Sequence, residues 1–433
     1  MNTSILEITI IIFNSLFFIF TIFAIASYTI LAIISAFETV DYMKKNSFVN
    51  YNEILSSTIS PSISIIAPAF NESLSIIENV RSLLSSHYAN YDVIIVNDGS
   101  TDDSLEKLIN AYNLVKIDFL INEKLPTKPI RNGVYKSTNP AFEKLTVVDK
   151  ENGGKADALN MGLNISKNSY VLCIDVDCLL LEDALQKMIE RAQILEYLRA
   201  FLLGRMAWSR LNGLLVISGA FGMFDKKIVI EVGGYDTNTV GEDMELIVRM
   251  RKYMEEKKEK YRVGYIPDPL CWTEAPDTYK TLISQRNRWT RGTIETLRKH
   301  RKVGFNPKYG VFGLLSYPYW FFFERLAPII EILGILYFIF LIVLDDVRWD
   351  YTFAFISAAY LFTVLFTILA IFSEELTYHQ YKKKGTGIKL LLTSFLEPFI
   401  SHPFILYAAI TGNVDYYLKK EKGWGKMIRR GFL

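Results

Sequence analysis

The chain has 433 residues, a formal net charge of +2, 50% hydrophobic, 14% aromatic and 22% charged residues. That length calls for more than one structural unit, and the near-neutral balance excludes a strongly basic nucleic-acid binder or an acidic tail protein. Apolar excess beside ample charge points to a soluble part joined to membrane segments.

Taken in chain order, the first element is an uncharged run over residues 8–37. It exceeds the roughly 20 residues that a helix needs to cross a bilayer core, so residues 1–45 read as one tilted or overhanging anchor. Lys44 and Lys45 follow it and no basic residue precedes it, which sets the amino end outside and the central region in the cytoplasm. Residues 46–61 read as a polar linker with Pro61 at its end.

From 62 to 302 short apolar strands alternate with helical patterns. Strands are expected over residues 63–67, 93–96, 145–148 and 170–174, each ending in turn or polar residues. This rhythm predicts an α/β domain with a parallel, doubly wound sheet, whose ligand would lie beyond the carboxyl ends of the strands. Ala67, Asn71 and Glu72 fall at one such end, Asp98 at the next, Asp175 and Asp177 at a third. Residues 125–144, with Arg131 and Tyr135, read as an insertion between strands.

Asp175-Val176-Asp177 places two carboxylates on one side of extended chain. Such hard oxygen ligands suit Mg²⁺ or Mn²⁺ on a diphosphate, although solvated loop acids have the same spacing. Asp98 could accept hydrogen bonds from a base or ribose, or simply cap the next helix. Asn152-Gly153-Gly154-Lys155 is a glycine-rich turn entering a helix, where Lys155 would put positive charge near phosphate. Glu242 and Asp243 open another helix. There the dipole alone favours acids, but a carboxylate at a cleft could also act as general base. On a helix expected from about 279 to 300, Gln285, Arg288 and Trp289 share a face at spacings of three and four, with Arg286 beside them. Trp289 could stack on a sugar while arginine neutralises diphosphate. The same basic helix could equally rest on membrane lipid. Three scattered cysteines (Cys173, Cys178, Cys271) read as neither a disulfide framework nor a zinc set, and four histidines, no two spaced to share a helix face, argue against a histidine-centred triad.

Residues 303–433 form the carboxy-terminal membrane region. Residues 309–323 read as an aromatic interfacial helix, and residues 326–344 and 351–373 as spans. In the apolar stretch 390–414, Pro398 and Pro403 would break a spanning helix, and crossing would put the basic tail outside. A re-entrant or interfacial segment with a cytoplasmic tail is therefore expected.

In this order the motifs resemble those of the membrane-bound family 2 glycosyltransferases, which include cellulose, hyaluronan and poly-N-acetylglucosamine synthases. The resemblance runs from about residue 62 to 291. It implies a GT-A-type nucleotide-sugar-binding domain with flanking transmembrane helices, in the cell (inner) membrane. It further implies inverting, metal-assisted transfer of a hexosyl or N-acetylhexosaminyl group from a nucleotide-diphosphate sugar, in its uridine form, to a growing glycan or lipid-linked acceptor, making a β-linked polysaccharide at the membrane. Residue by residue, Asp98 looks like the nucleotide-contacting acid, and Asp175 and Asp177 like the metal and diphosphate motif. Asp243 looks like the base of the Thr-Glu-Asp motif. Gln285, Arg286, Arg288 and Trp289 look like the Gln-x-x-Arg-Trp set. Gly241 stands where threonine is common, and the gating-loop motif of cellulose synthases is not visible. Transfer of one sugar to a lipid, a nucleotidyltransferase, and a non-catalytic membrane or export component are the competing readings; an export partner is compatible with polysaccharide synthesis.

Overall fold

The computed structural model describes residues 5–46, 61–86, 88, 90–176, 203–217, 219, 221–266, 276, 278–377 and 386–419. Except for its two end residues, the expected linker 46–61 lies outside them. So do Asp177, Cys178, Cys271, His87 and the basic tail from 420.

A seven-stranded sheet forms the centre of the α/β half, in the order β3-β4-β5-β2-β1-β6-β7. Its strands are β1 (Ile63–Ala69), β2 (Tyr91–Asp98), β3 (Leu114–Ile117), β4 (Ile130–Ser137), β5 (Leu145–Lys150), β6 (Tyr170–Ile174) and β7 (Phe221–Asp225). The four central strands β5, β2, β1 and β6 are parallel. β3, β4 and β7 run antiparallel to their neighbours, so the sheet is mixed and not wholly parallel as expected. Residues 125–144 are a working part of it: they supply β4, and Leu125 joins the core below the sheet. β1 continues through Pro68, beyond Ile66, its last residue paired to β6. Proline's missing N–H is tolerated where a ladder partner is absent on that side.

Helices cover both faces. α1 (Ile5–Asn46) comes first, and α2 (Ile76–Leu84) and α3 (Ser104–Tyr112) follow β1 and β2. Their apolar residues Ile76, Val80, Leu83 and Leu108 close the core on one face with Ile65, Val93 and Ile95. α4 (Lys155–Ile165) lies on the other face and is buried from Ala156 to its end. After α5 (Met206–Arg210), β7 and α6 (Lys226–Glu231), the chain forms α7 (Glu242–Lys257) and α8 (Tyr279–Lys299).

Among the described residues, three helices are long and apolar enough to cross a membrane: Ile5–Lys44, Phe312–Val343 and Trp349–Glu375. α1, with 42 residues, is about 63 Å long at 1.5 Å per residue, twice a bilayer core. The excess explains a run too long for one span and too short for two: its far end continues onto the α/β half. There Arg210 Nη1 lies 3.0 Å from Glu38 and 2.7 Å from Asp41. Leu31 is buried with Ala207, Trp208 and Leu214.

The expected separate interfacial helix 309–323 is instead continuous with the second span. Helical turns run unbroken from Phe312 to Val343, wide π-turns alternating with α. Tyr309, Phe312 and Tyr317 are buried against Met244, Val248 and Leu297, so this segment shares a hydrophobic core with α7 and α8 on one side. Beyond α9 (Ala327–Val343) and α10 (Trp349–Thr377), α11 (Thr386–Ile400) and α12 (His402–Val414) meet at a 44° bend. The break falls at Ser401, just before Pro403 in the first turn of α12, whereas Pro398 sits inside α11. The bend therefore lies beside Pro403, while α11 continues through Pro398.

Candidate active site

Three strand ends and two helix starts meet in one region. Gly154 takes φ +87° as the residue before α4, a conformation natural to glycine. This turn aims two amides back at β2: Gly153 N–H donates to Asp98 Oδ1 (3.0 Å) and Gly154 N–H to Oδ2 (2.8 Å). The Lys150 ammonium lies 2.5 Å from Asp98 and 2.6 Å from Asp157, with no exposed side-chain surface. Asp98 is 3% exposed. Its carboxylate is thus occupied in holding the glycine turn and neutralising Lys150. Sequence reasoning missed Lys150; a lysine closing an otherwise buried strand was the available signal.

Asn71 and Glu72 also serve as clamps. Asn71, at φ +56°, accepts from Thr101 N–H at 2.8 Å, and its own N–H donates to Ser100 Oγ at 3.0 Å. Glu72 N–H donates to Ser104 Oγ at 3.0 Å. The loops after β1 and β2 are thereby fixed together, with Ala67 fully buried behind them.

The turn delivers Lys155 to the centre of the site. Its Nζ lies 2.5 Å from Asp175 Oδ1, beyond β6, and 3.6 Å from Glu242 Oε1, in the first turn of α7. It also donates to Gly219 O at 3.2 Å. Burial opposes its charge, but Asp175 and then Glu242 prevail and hold the ammonium above its ordinary pKa. Burial pushes Glu242 up to about 7; Asp243 adds to this, while Lys155 and Arg288 pull against it. Asp243 accepts from Met244 N–H at 2.8 Å. A Cβ on Gly219 would stand 2.5 Å from its Oδ2, so glycine leaves room for the acid. The structure therefore brings Lys155, Asp175, Glu242 and Asp243 together from three distant segments, and Arg288 reaches the same field from α8.

α8 lies directly behind the acids. A Cβ on Gly241 would meet Gly292 Cα at 2.8 Å, and the reverse contact is the same. This accounts for Gly241 where threonine is common: main chain touches main chain. On α8, the Arg286 guanidinium sits 4.0 Å from the centre of the Trp289 ring, a cation–π arrangement. Arg286 is buried, and Trp289 is 41% exposed. Gln285 and Arg288 are partly buried.

Cys173 is buried on β6, where burial pushes its thiol up to about 11, in keeping with an inert reduced thiol. Among the described residues, no three His, Cys, Asp or Glu side chains converge as a closed metal set. Asp175 is the described half of the expected acid pair. Separately, Pro126, Thr127 and Lys128 line a 490 Å³ cleft with Asp157, Asn160 and Arg249, so the segment without an assigned role shapes one wall.

Residues 64–198 match the family Glycosyl transferase family 2, and residues 184–378 match Glycosyl transferase family group 2. A poly-beta-1,6-N-acetyl-D-glucosamine synthase of Staphylococcus epidermidis (strain ATCC 35984) is 27% identical over 353 residues, 75% of this chain and 76% of that protein. The protein of the same name from Staphylococcus aureus (strain COL) is 29% identical over 262 residues, 54% of this chain and 55% of that one. Among solved structures, the mannosyltransferase PcManGT from Pyrobaculum calidifontis, in complex with GDP-Man and Mn²⁺, aligns with a TM-score of 0.49 and 15% identity. That alignment covers 92% of this chain and 99% of that one. The two family matches between them span the sheet, the acids and α8, and the chain belongs to the family 2 glycosyltransferases, with a GT-A-type α/β catalytic domain and flanking apolar helices.

Proposed function

We propose that this glycosyltransferase moves N-acetylglucosamine, or a closely similar sugar, from its UDP-sugar to the end of a growing β-linked glycan at the membrane. Support for the sugar comes from the two staphylococcal relatives, named as poly-N-acetylglucosamine synthases. Support for the polarity comes from Lys44 and Lys45 in the last turn of α1, beyond its apolar run, which favour a catalytic half in the cytoplasm.

The observation that carries the reading is the Lys155 bridge. One ammonium faces Asp175 at 2.5 Å and Glu242 at 3.6 Å, which supports a reading in which the end of β6 faces the leaving group and the turn before α7 supplies the base. In the proposed roles Asp243 takes the proton of the acceptor hydroxyl as its oxygen attacks the anomeric carbon. The diphosphate leaves on the opposite face, which inverts the configuration and gives a β-linkage from an α-linked donor. Lys155 and Arg288 balance the charge that gathers on the departing diphosphate, with Gln285 and Arg286 behind them. Trp289 offers its exposed face to the acceptor sugar. Asp175 and Asp177 would hold Mg²⁺ or Mn²⁺; hard carboxylate oxygens beyond a strand end suit such an ion. When bound, it supplies positive charge to the diphosphate. The clamping bonds of Asn71, Glu72 and Asp98 give them a shaping role in the donor cavity.

The test is nucleotide release by detergent-purified protein over a panel of UDP- and GDP-sugars, with Mg²⁺, Mn²⁺ or chelator. Selective release from UDP-N-acetylglucosamine, lost with chelator, is expected. Asp243→Asn should fold, bind nucleotide and lose transfer; undiminished transfer removes the base assignment. Chain-length analysis of the product separates a polymer from a single lipid-linked sugar.

A further inference from the structure

α8 is gripped by main chain on both flanks. One flank is the Gly241–Gly292 contact beside the acids. The other is α12, from the membrane half. A Cβ on Gly412 would lie 2.9 Å from the Asn287 carbonyl oxygen and 3.0 Å from Thr290 Cβ, so α12 and α8 approach as closely as glycine allows. Tyr279 stacks on Phe404 with ring centres 4.1 Å apart and planes at 20°. Eight residues further along each helix, Asn287 meets the level of Gly412; the two helices run side by side in matched register. Asn287 Nδ2 donates to Asp415 Oδ2 at 2.7 Å and to Thr411 Oγ1 at 3.4 Å. Its Oδ1 accepts from Arg291 Nε at 3.0 Å. Asp415 is only 9% exposed.

We propose that α12 is a strut that fixes the register of α8, with Asp415 and Gly412 as positioning residues for acceptor use. Through Gly292 the same strut backs the turn that carries Asp243. This inference rests on the functional reading above. In productive turnover a bond forms between the acceptor oxygen and the anomeric carbon, the bond from that carbon to the diphosphate breaks, and the hydroxyl proton passes to Asp243. When the acceptor is misplaced, water attacks instead, loses its proton to the same carboxylate, and yields free sugar and nucleoside diphosphate. A slack strut therefore shifts the partition from transfer to hydrolysis.

The experiment measures transferred and free sugar from one labelled donor, using full-length protein in lipid nanodiscs. Asp415→Ala is expected to raise the hydrolysis-to-transfer ratio about tenfold, the scale of one hydrogen bond to a charged group. Acceptor KM should rise, with donor KM within about twofold of wild type. Asp415→Asn keeps an oxygen that can accept from Asn287 and should restore most of the partition. Gly412→Leu, which pushes the helices apart, should act in the direction of Asp415→Ala. Equal loss of transfer and hydrolysis in Asp415→Ala, or an unchanged ratio, overturns the proposal while leaving the enzyme's activity standing. Hydrogen–deuterium exchange gives a readout independent of turnover. Peptides covering residues 282–292 should lose protection in Asp415→Ala and regain it in Asp415→Asn. Unaltered protection overturns the strut even if the wild type used none of the donors tried, a result that would remove the functional reading instead.

Discussion

Threonine at Gly241 sets two rules against each other. Gly241 is the N-cap of α7 with φ −121° and ψ 53°, which a side chain can adopt. Capping alone predicts a gain of a few tenths of a kcal/mol over glycine. Packing predicts the reverse. The new Cβ would stand 2.8 Å from Gly292 Cα, 3.1 Å from its carbonyl carbon and 3.3 Å from its oxygen. These are main-chain atoms of a helix interior, so no rotamer relieves them, and overpacking of this kind costs about 1–3 kcal/mol. The collision dominates the cap, leaving a net loss of about 1–3 kcal/mol. At roughly 2–4 °C per kcal/mol for a domain of this size, Tm should fall by several degrees. Any retreat of α7 also carries Asp243 away from Lys155 and α8, and a shift near 1 Å can cost about 10²-fold in rate. Thermal melting and nucleotide release are measured on the same detergent-solubilised preparation. Gly264→Ala serves as control, since nothing lies within 4 Å of its Cβ position. A Gly241→Thr protein that melts at or above the wild-type temperature would refute the packing argument.

Asp98→Asn should behave as a folding lesion: Lys150 stays fully buried with Asp157 as its remaining carboxylate, a loss on the order of 3 kcal/mol. Unchanged melting with lost nucleotide binding would return Asp98 to the donor itself. Trp289→Ala should leave donor binding nearly intact and raise acceptor KM, because the exposed ring packs against Arg286 and not against the acids; titration of donor and acceptor separately decides it. Glu245 supplies a pH signature. Burial works against its charge, but hydrogen bonds from His300 and Arg249, Arg249's charge and a hydrogen bond from Lys299 hold its pKa below the usual carboxylate range. A depressed folded pKa stabilises the protein above the unfolded value of about 4.3, and that contribution is lost as pH falls toward the folded value. Melting followed from pH 7 into acid should show a drop that flattens in Glu245→Gln.

Much of this architecture was legible because it rests on local rules. The strand ends, the glycine turn before Lys155, and α8 from Tyr279 to Lys299 follow from period, capping and turn chemistry. The antiparallel strands were not legible. β4 lies in a polar, partly exposed segment whose pairing to β5 depends on tertiary contact. Asp98 shows the same limit: its place at a strand end was readable, but its commitment to Lys150 needs a partner 52 residues away. Gly241 is the instructive case, because the departure from the family pattern was visible and its cause was another glycine on a different helix. The grouping of Lys155, Asp175 and Glu242 was expected only as neighbouring motifs, and the ammonium that joins them is a three-dimensional fact.

The overhanging end of α1 has a consequence for how the protein is made and handled. Glu38 and Asp41 wait at that end for Arg210, which is synthesised about 170 residues later, and Leu31 fills a pocket with Ala207 and Trp208. α1 precedes the α/β half in the chain, so this docking face is made before the residues that meet it. A truncation that starts after α1 would remove Leu31 and Ile34 from the apolar cover of this cluster, leaving Tyr319 and Tyr265, and would leave Arg210 without Glu38 and Asp41. Such a fragment should be sticky and short-lived, whereas one that keeps residues 28–46 retains the cover.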